Sequence, residues 1–215
     1  MVFQNRQQAG KLLSLRVQEY KGLKKLIVLG IPRGGVIVAK ELAASLSCPL
    51  DIIITKKIGA PGNPELAVGA VGPASAGGSG EARPVVDEEL AARVGADEKY
   101  IKNQILKIEI EISEREKKFR AGQPLLDLKD KIVIIADDGV ATGSTMQSAI
   151  EIVRQQEPKK IVVAVPVIAK DSLAKIQKLA DEVVYLEVPE MFFSLSQFYQ
   201  EFEQVSDEEA ANLLS

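Results

Sequence analysis

Five short runs of branched apolar residues punctuate the chain: LIVLGI (26–31), DIIIT (51–55), KIVIIA (131–136), KIVVAVPV (160–167) and EVVYLEV (182–188). They are continuous rather than alternating, which predicts strands covered on both faces, as in a parallel sheet. Between them, residues 36–46, 144–156 and 171–180 repeat their apolar positions at helical spacing. Strands alternating with helices build βαβ units, so the predicted class is α/β, doubly wound, with a mainly parallel sheet.

Two segments break this rhythm. Residues 57–86, KIGAPGNPELAVGAVGPASAGGSGEARPVV, are dense in Gly, Pro and small residues and predict a long, flexible loop with ELAVGAV as a strand inside it. Part of this loop is expected to be mobile without ligand, because it has little to bury. Residues 87–119 then read as one or two helices with a break at Gly95. Ile101, Ile105, Ile108 and Ile112 follow a 4-3-4 spacing there, with Glu and Lys on the other faces. This inserted long helix is read first as core-packing, with a homodimer seam as the alternative. The whole chain, 1–215, is read as a single domain.

Composition narrows the chemistry. With 46% hydrophobic and 27% charged residues, the 215-residue chain is long enough to bury a sizeable core. Lys and Arg number 27 against 30 Asp and Glu, a formal net charge of -3, so no global basic excess points to a nucleic-acid partner. The N-terminal MVFQNRQQAG has no apolar signal core, and the longest wholly apolar run, IVVAVPVIA (161–169), is far short of a membrane span. A cytoplasmic protein without a membrane partner is the expectation. Cys48 is the single cysteine and can form neither an internal disulfide nor a CxxC site, so it reads as packing. There is no histidine at all, which excludes imidazole bases, Ser-His-Asp and Cys-His pairs, and HExxH zinc sites. Carboxylates, Lys, Arg, backbone amides and magnesium remain, and these handle phosphate.

The segment richest in such groups is IIADDGVATGST (134–145). An apolar strand ends in two adjacent carboxylates, and after a short turn small and hydroxyl residues open a helix. Amides at that helix N-terminus, with the Thr142, Ser144 and Thr145 hydroxyls, suit an anion. Asp137 and Asp138 repel phosphate but can accept hydrogen bonds from vicinal sugar hydroxyls, or hold magnesium that meets pyrophosphate. Each part alone also suits an ordinary strand end and N-cap; together, in this order, they describe a site for a ribose 5-phosphate. A P-loop is excluded because no lysine follows Gly139 or Gly143 in the required place, and no GxGxxG occurs.

IIADDGVATGST resembles the 5-phosphoribosyl-1-pyrophosphate (PRPP) motif of type I phosphoribosyltransferases, an apolar strand, two acids and a T-G-x-T turn. The resemblance implies that Asp137 and Asp138 bind the ribose hydroxyls, that the turn Ala141, Thr142, Gly143, Ser144 and Thr145 holds the 5-phosphate, and that Gly139 also belongs to the PRPP site. GIPRGG (30–35) looks like the family's pyrophosphate loop, in which Arg33, Gly34 and Gly35 would face the leaving group, with a cis peptide at the Pro32–Arg33 bond. DIIITKKIG (51–59) looks like the strand and paired lysines leading into the catalytic loop, so that Lys56 or Lys57 would meet pyrophosphate and Glu65 or Arg83 would complete the site. YLEVPEMFFSLSQFYQEF (185–202) resembles the base-binding hood of 6-oxopurine phosphoribosyltransferases, placing Phe192 or Phe193 against the acceptor ring, within a hood spanning 185–215. That subfamily carries an aspartate immediately before its T-G, where Ala141 stands here.

Taken over most of the chain, the likeness is to a bacterial branch of the family whose acceptor is unassigned. It implies a Mg2+-dependent transferase of nucleotide metabolism that moves the phosphoribosyl group from PRPP to a small nitrogenous acceptor, a purine-like base among the candidates, and releases pyrophosphate. Asp137 and Asp138 would meet the metal directly or through water. The alternative is a PRPP-sensing regulator or a non-catalytic nucleotide-binding protein that keeps the ligand site without turnover.

Overall fold

The computed structural model describes residues 1–73, 84–120 and 126–214. Its centre is a five-stranded, all-parallel sheet in the order β2-β1-β6-β7-β8, formed by β1 (Leu26–Gly30), β2 (Leu50–Ile52), β6 (Ile132–Ala136), β7 (Lys160–Val167) and β8 (Glu182–Glu187). The run at 51–55 contributes only its first part to the sheet: β2 ends at Ile52, although Ile53 and Ile54 remain buried.

Continuous apolar strands imply two covered faces, and both are present. Leu26 and Val28 pack with Ile134, Ala136, Val162 and Ala164 against α1 (Arg6–Ser14) and α2 (Gly34–Leu46) through Leu13, Val38, Ala39 and Leu42. Ile27, Leu29, Val133, Ile135, Val163 and Val165 face the other way, against α5 (Ser144–Arg154) through Met146, Ala149, Ile150 and Val153. The odd and even residues of each strand thus go to opposite layers, which is the doubly wound arrangement the pattern predicts. Helix α6 (Lys170–Ile176) joins β7 to β8.

Between β2 and β6 the chain makes a long excursion. The segment read as one loop with a strand inside it holds three strands, an antiparallel sheet in the order β3-β4-β5, from β3 (Lys56–Ala60), β4 (Asn63–Val71) and β5 (Val85–Val86). Ala60 pairs with Asn63 across Pro61 and Gly62, and Gly62 has φ +72°. Proline followed by a glycine of positive φ is the signature of a type II turn, and it is this dipeptide that closes the hairpin. Residues 74–83, which include the small-residue stretch ASAGGSG (74–80) and Arg83, lie outside the described residues.

After the hairpin come α3 (Glu88–Arg93) and α4 (Glu98–Arg120), separated by Gly95 at φ +73°, the break expected there. Ile108, Ile112 and Phe119 of α4 are buried against Ile58, Val68 and Val71 of the hairpin, with Ile101 and Ile105 partly buried beside them. Within the chain, then, the stripe packs as core. No helix among the described residues is long and apolar enough to cross a membrane.

Candidate functional site

The order β2-β1-β6 puts a switch point between β1 and β6. From β1 the chain winds outward one way to β2, and from β6 the other way to β7 and β8. Open α/β sheets bind ligands at such a point, beyond the carboxyl ends of the strands. Gly30 lies level with Ala136 across the ladder, so the 31–35 and 137–143 loops leave adjacent strands at the same height.

They meet tightly. A Cβ at Gly34 would overlap the Asp138 carboxylate, and one at Gly35 would come within 2.7 Å of Asp137 Oδ1 and 2.9 Å of the Ala136 carbonyl oxygen. Only glycine lets the first turn of α2 lie against both acids. The Pro32–Arg33 peptide is cis, the bond the family resemblance singles out. The two loops named from separate motifs therefore lie in contact at the switch point.

The carboxylates differ sharply. Asp138 is 8% exposed, and its Oδ2 accepts a 2.6 Å hydrogen bond from Nε of the equally buried Arg6. Arg6 also donates through Nη1 to the Glu203 carbonyl at 2.8 Å, and its guanidinium lies 3.8 Å from the Phe202 ring centroid. The Tyr199 hydroxyl donates to the Asp138 carbonyl at 2.5 Å. Burial, then the nearby Asp138 charge, pushes the Tyr199 hydroxyl up, so it stays a donor. Asp137 makes no ion pair among the described residues; its Oδ1 accepts the Asp138 amide at 2.9 Å. Although it keeps some surface, protein atoms crowd it closely. That desolvation, followed by repulsion from Asp138, holds its carboxyl well above the usual range.

On the far side, Val140 is tied to the end of β7 by its amide on the Val167 carbonyl, and Ser172 Oγ donates to the Ala141 carbonyl at 2.5 Å. Gly143, at φ +80°, is the N-cap of α5. On either side of it Thr142 and Thr145 are exposed at the mouth of the helix, and Thr142 Oγ1 lies 3.3 Å from Ser144 Oγ. Gly139 admits the hood: a Cβ there would overlap Leu195 and come within 2.8 Å of Val167 Cγ1.

The remaining expected residues are placed differently. Lys56 and Lys57 open β3 of the antiparallel sheet, past the end of β2. Lys56 is paired with Glu111 of α4, and Lys57 Nζ lies 2.9 Å from Glu65 Oε2 of β4. Neither lines the cavity beside the Pro32–Gly34 turn, whereas Arg33 does. In the hood, Phe192 packs on Phe198 at 5.1 Å between centroids, while Phe193 is 82% exposed. A bracketing glutamine fixes the backbone beneath that exposed ring: Gln197 Oε1 accepts from the Phe193 and Ser194 amides, and its Nε2 donates to the Met191 carbonyl.

Arg6 lies far from every motif and went unnoticed in the sequence; Tyr199 lies within the hood segment 185–202 but was not singled out there. A signal exists for Arg6. It shares the buried face of α1 with Ala9, Gly10 and Leu13, and a charge on such a face asks for a partner.

Among the described residues no group of three or more acidic or cysteine side chains converges to hold a metal by itself. Two adjacent carboxylates near a helix N-terminus are a donor set that fits magnesium, which keeps waters and takes several of its ligands from phosphate oxygens. Of the two, Asp137 has no ion-pair partner among the described residues and Asp138 is engaged by Arg6.

The family model of the phosphoribosyl transferase domain matches residues 3–203. The chain is 38% identical over 213 residues to the Mycobacterium tuberculosis H37Rv protein named "Putative phosphoribosyl transferase Rv0571c", covering 99% of this chain and 46% of that protein. It thus spans about half the length of the curated relatives it matches. It also superposes on the crystal structure of TT1426 from Thermus thermophilus with a TM-score of 0.88 at 38% identity, covering 100% of this chain and 98% of that one. With its parallel sheet, its two converging loops and a domain match over nearly its whole length, the chain belongs to the phosphoribosyl transferase domain family and has the type I fold.

Proposed function

We propose that the protein transfers the 5-phosphoribosyl group of PRPP to a small nitrogenous acceptor and releases pyrophosphate, with Mg2+ as cofactor. The observation that carries this reading is the contact of Gly34 and Gly35 with Asp138 and Asp137 at the switch point, one turn from the open mouth of α5. Such a site offers hydroxyl acceptors between two anion cradles, which matches a ribose substituted by phosphate at one end and pyrophosphate at the other.

Placement in the fold supports the following roles. The α5 amides with Thr142, Ser144 and Thr145 bind the 5-phosphate, and Gly139 and Ala141 keep that loop slim. Asp137 accepts from the ribose hydroxyls and faces the metal; Asp138 shares the hydroxyls while Arg6 holds its other flank. Arg33, Gly34 and Gly35 receive the pyrophosphate. Magnesium, when bound, neutralises charge on the departing pyrophosphate. The acceptor nitrogen forms its bond to C1 as the C1–O bond breaks, the bonding pair leaves with pyrophosphate, and C1 inverts. Ala141 has no group to take the proton shed by the acceptor, so it passes to solvent or to pyrophosphate. Phe193, exposed on a braced backbone, provides a face for a planar acceptor. Lys56 and Lys57 join the site only if their pairs with Glu111 and Glu65 open.

Pyrophosphate release, measured with PRPP, Mg2+ and a panel of purines, pyrimidines and small amines, is the test. Turnover with any member supports the reading. Tight PRPP binding with no release across the panel would favour the PRPP-sensing alternative, and absence of binding would defeat both.

A further inference from the structure

The apolar stripe of α4 has a residue that does not belong to it. Ile101, Ile105, Ile108 and Ile112 are followed, at the next two stripe positions, by Arg115 and Phe119. Ile108, Ile112 and Phe119 are buried, so Arg115 stands on the face that α4 turns inward. An arginine in such a place is ordinarily paired. Arg120, five residues on, shows the ordinary case: it is 9% exposed, donates through Nη2 to the Ile52 carbonyl at 2.7 Å and lies 3.4 Å from Asp51 Oδ1. Arg115 is half-buried and has no carboxylate at ion-pair distance among the described residues.

What Arg115 does face is a cavity of about 530 Å³, lined also by Arg6, Pro32, Arg33, Gly34 and Asp207. Three guanidinium groups meet one carboxylate there. Arg6 is engaged by Asp138, and Arg33 reaches Asp207 only at 3.8 Å. The cavity therefore holds more positive charge than its own acids offset, immediately beside the Pro32–Gly34 turn. Its walls come from separate parts of the chain, among them the β1–α2 loop, the inserted helix and the C-terminal segment.

We propose that Arg115 is a binding residue for the diphosphate group of the ligand, brought by the inserted helix to the side of the cavity that Arg33 and the glycine turn leave open. This rests on the PRPP reading of the site. A planar guanidinium grips phosphoryl oxygens by two parallel hydrogen bonds, so both its charge and its shape contribute.

Calorimetry with inorganic pyrophosphate plus Mg2+, and separately with ribose 5-phosphate, tests the assignment on the parent, Arg115→Ala, Arg115→Lys and the exposed same-helix control Lys107→Ala. Pyrophosphate affinity should fall at least tenfold in Arg115→Ala and less in Arg115→Lys. It should hold within twofold in Lys107→Ala, as should ribose 5-phosphate affinity in every variant. If alanine unfolds the chain, Arg115→Gln, which keeps the apolar stem, is read by the same criterion. A folded Arg115 variant that binds pyrophosphate as the parent does overturns the proposal, as does an equal loss in Lys107→Ala. A parent that binds ribose 5-phosphate but not pyrophosphate removes Arg115's role and leaves the ribose site standing; a parent that binds neither removes both.

Discussion

Replacing Arg6 by alanine should destabilise the protein far more than a change near the N-terminus ordinarily does. The guanidinium is 9% exposed and meets a carboxylate that is 8% exposed, at 2.6 Å. Its loss leaves Asp138 charged, buried and adjacent to a second desolvated acid, and breaking one side of such a pair costs about 3–5 kcal/mol. The bond to the Glu203 carbonyl and the stack on Phe202 go with it, so the upper half of that range is expected. For a domain of this size about 2–4 °C is lost per kcal/mol, which puts the fall in Tm on the order of 10 °C. Thermal melts of the parent, Arg6→Ala, Asp138→Asn and the double variant supply the assay. The double variant should recover much of the loss, because asparagine removes the stranded charge while keeping an acceptor. An Arg6→Ala protein melting within about 2 °C of the parent, or a double variant no better than Arg6→Ala, would refute the electrostatic account.

Asp137→Asn should move stability and binding in opposite directions. Burial holds the Asp137 carboxyl well above its ordinary 3.8, so the folded chain keeps a proton that the unfolded chain has already released. The stability this group allows is full below the unfolded value and declines as pH rises through the raised folded one. At neutral pH the asparagine variant should therefore melt above the parent and lose that pH slope. Its PRPP–Mg2+ affinity should drop about tenfold, because asparagine cannot give up a proton to become the anionic acceptor that the cation and ribose hydroxyls favour; a charged hydrogen bond contributes roughly 1.5–3 kcal/mol, less the cost of ionising the carboxyl. A Gly35→Ala variant, whose methyl would sit 2.7 Å from Asp137 Oδ1, should lose about 1–3 kcal/mol and weaken ligand binding; unchanged melting and binding would contradict the close contact of the loops. Ile112→Ala, at a buried position of α4, should lose about 2–5 kcal/mol in chemical unfolding, and a change under about 1 would argue against the stripe as core.

The parallel sheet was legible because its strands carry unbroken branched runs, and the two acids because they end such a run where a helix begins. The antiparallel sheet was not, although Pro61–Gly62 is a turn signal: Gly and Pro around it hide the alternation, and the pairing of Gly69 with Val86 crosses residues 74–83. Lys56 and Lys57 were expected at the carboxyl end of a buried strand, but β2 stops at Ile52 and the lysines enter the next sheet. Nothing local could announce the bond from Arg6 to Asp138, which joins the first helix to a motif in the second half of the chain. A lone charge on an otherwise apolar face marks both Arg6 and Arg115, and the repeat that makes Arg115 visible continues past Ile112, the last of its isoleucines.

The excursion between β2 and β6 bears on how this fold can change. It leaves the sheet at Ile52 and returns at Ile132, on the two strands that flank β1, at opposite ends of those strands. Those points are about 16 Å apart, from two strand spacings across and four residues along. Loop-closure entropy depends on length only logarithmically, so halving or doubling the excursion alters stability by about 0.6 kcal/mol through the chain alone. What is costly to exchange is its packing on Ile52 and Val36, not its extent. Insertions and replacements here can therefore accumulate with little penalty to the parallel sheet, and an arm that brings Arg115 to the cleft can be gained or lost while the ribose-facing loops stay as they are.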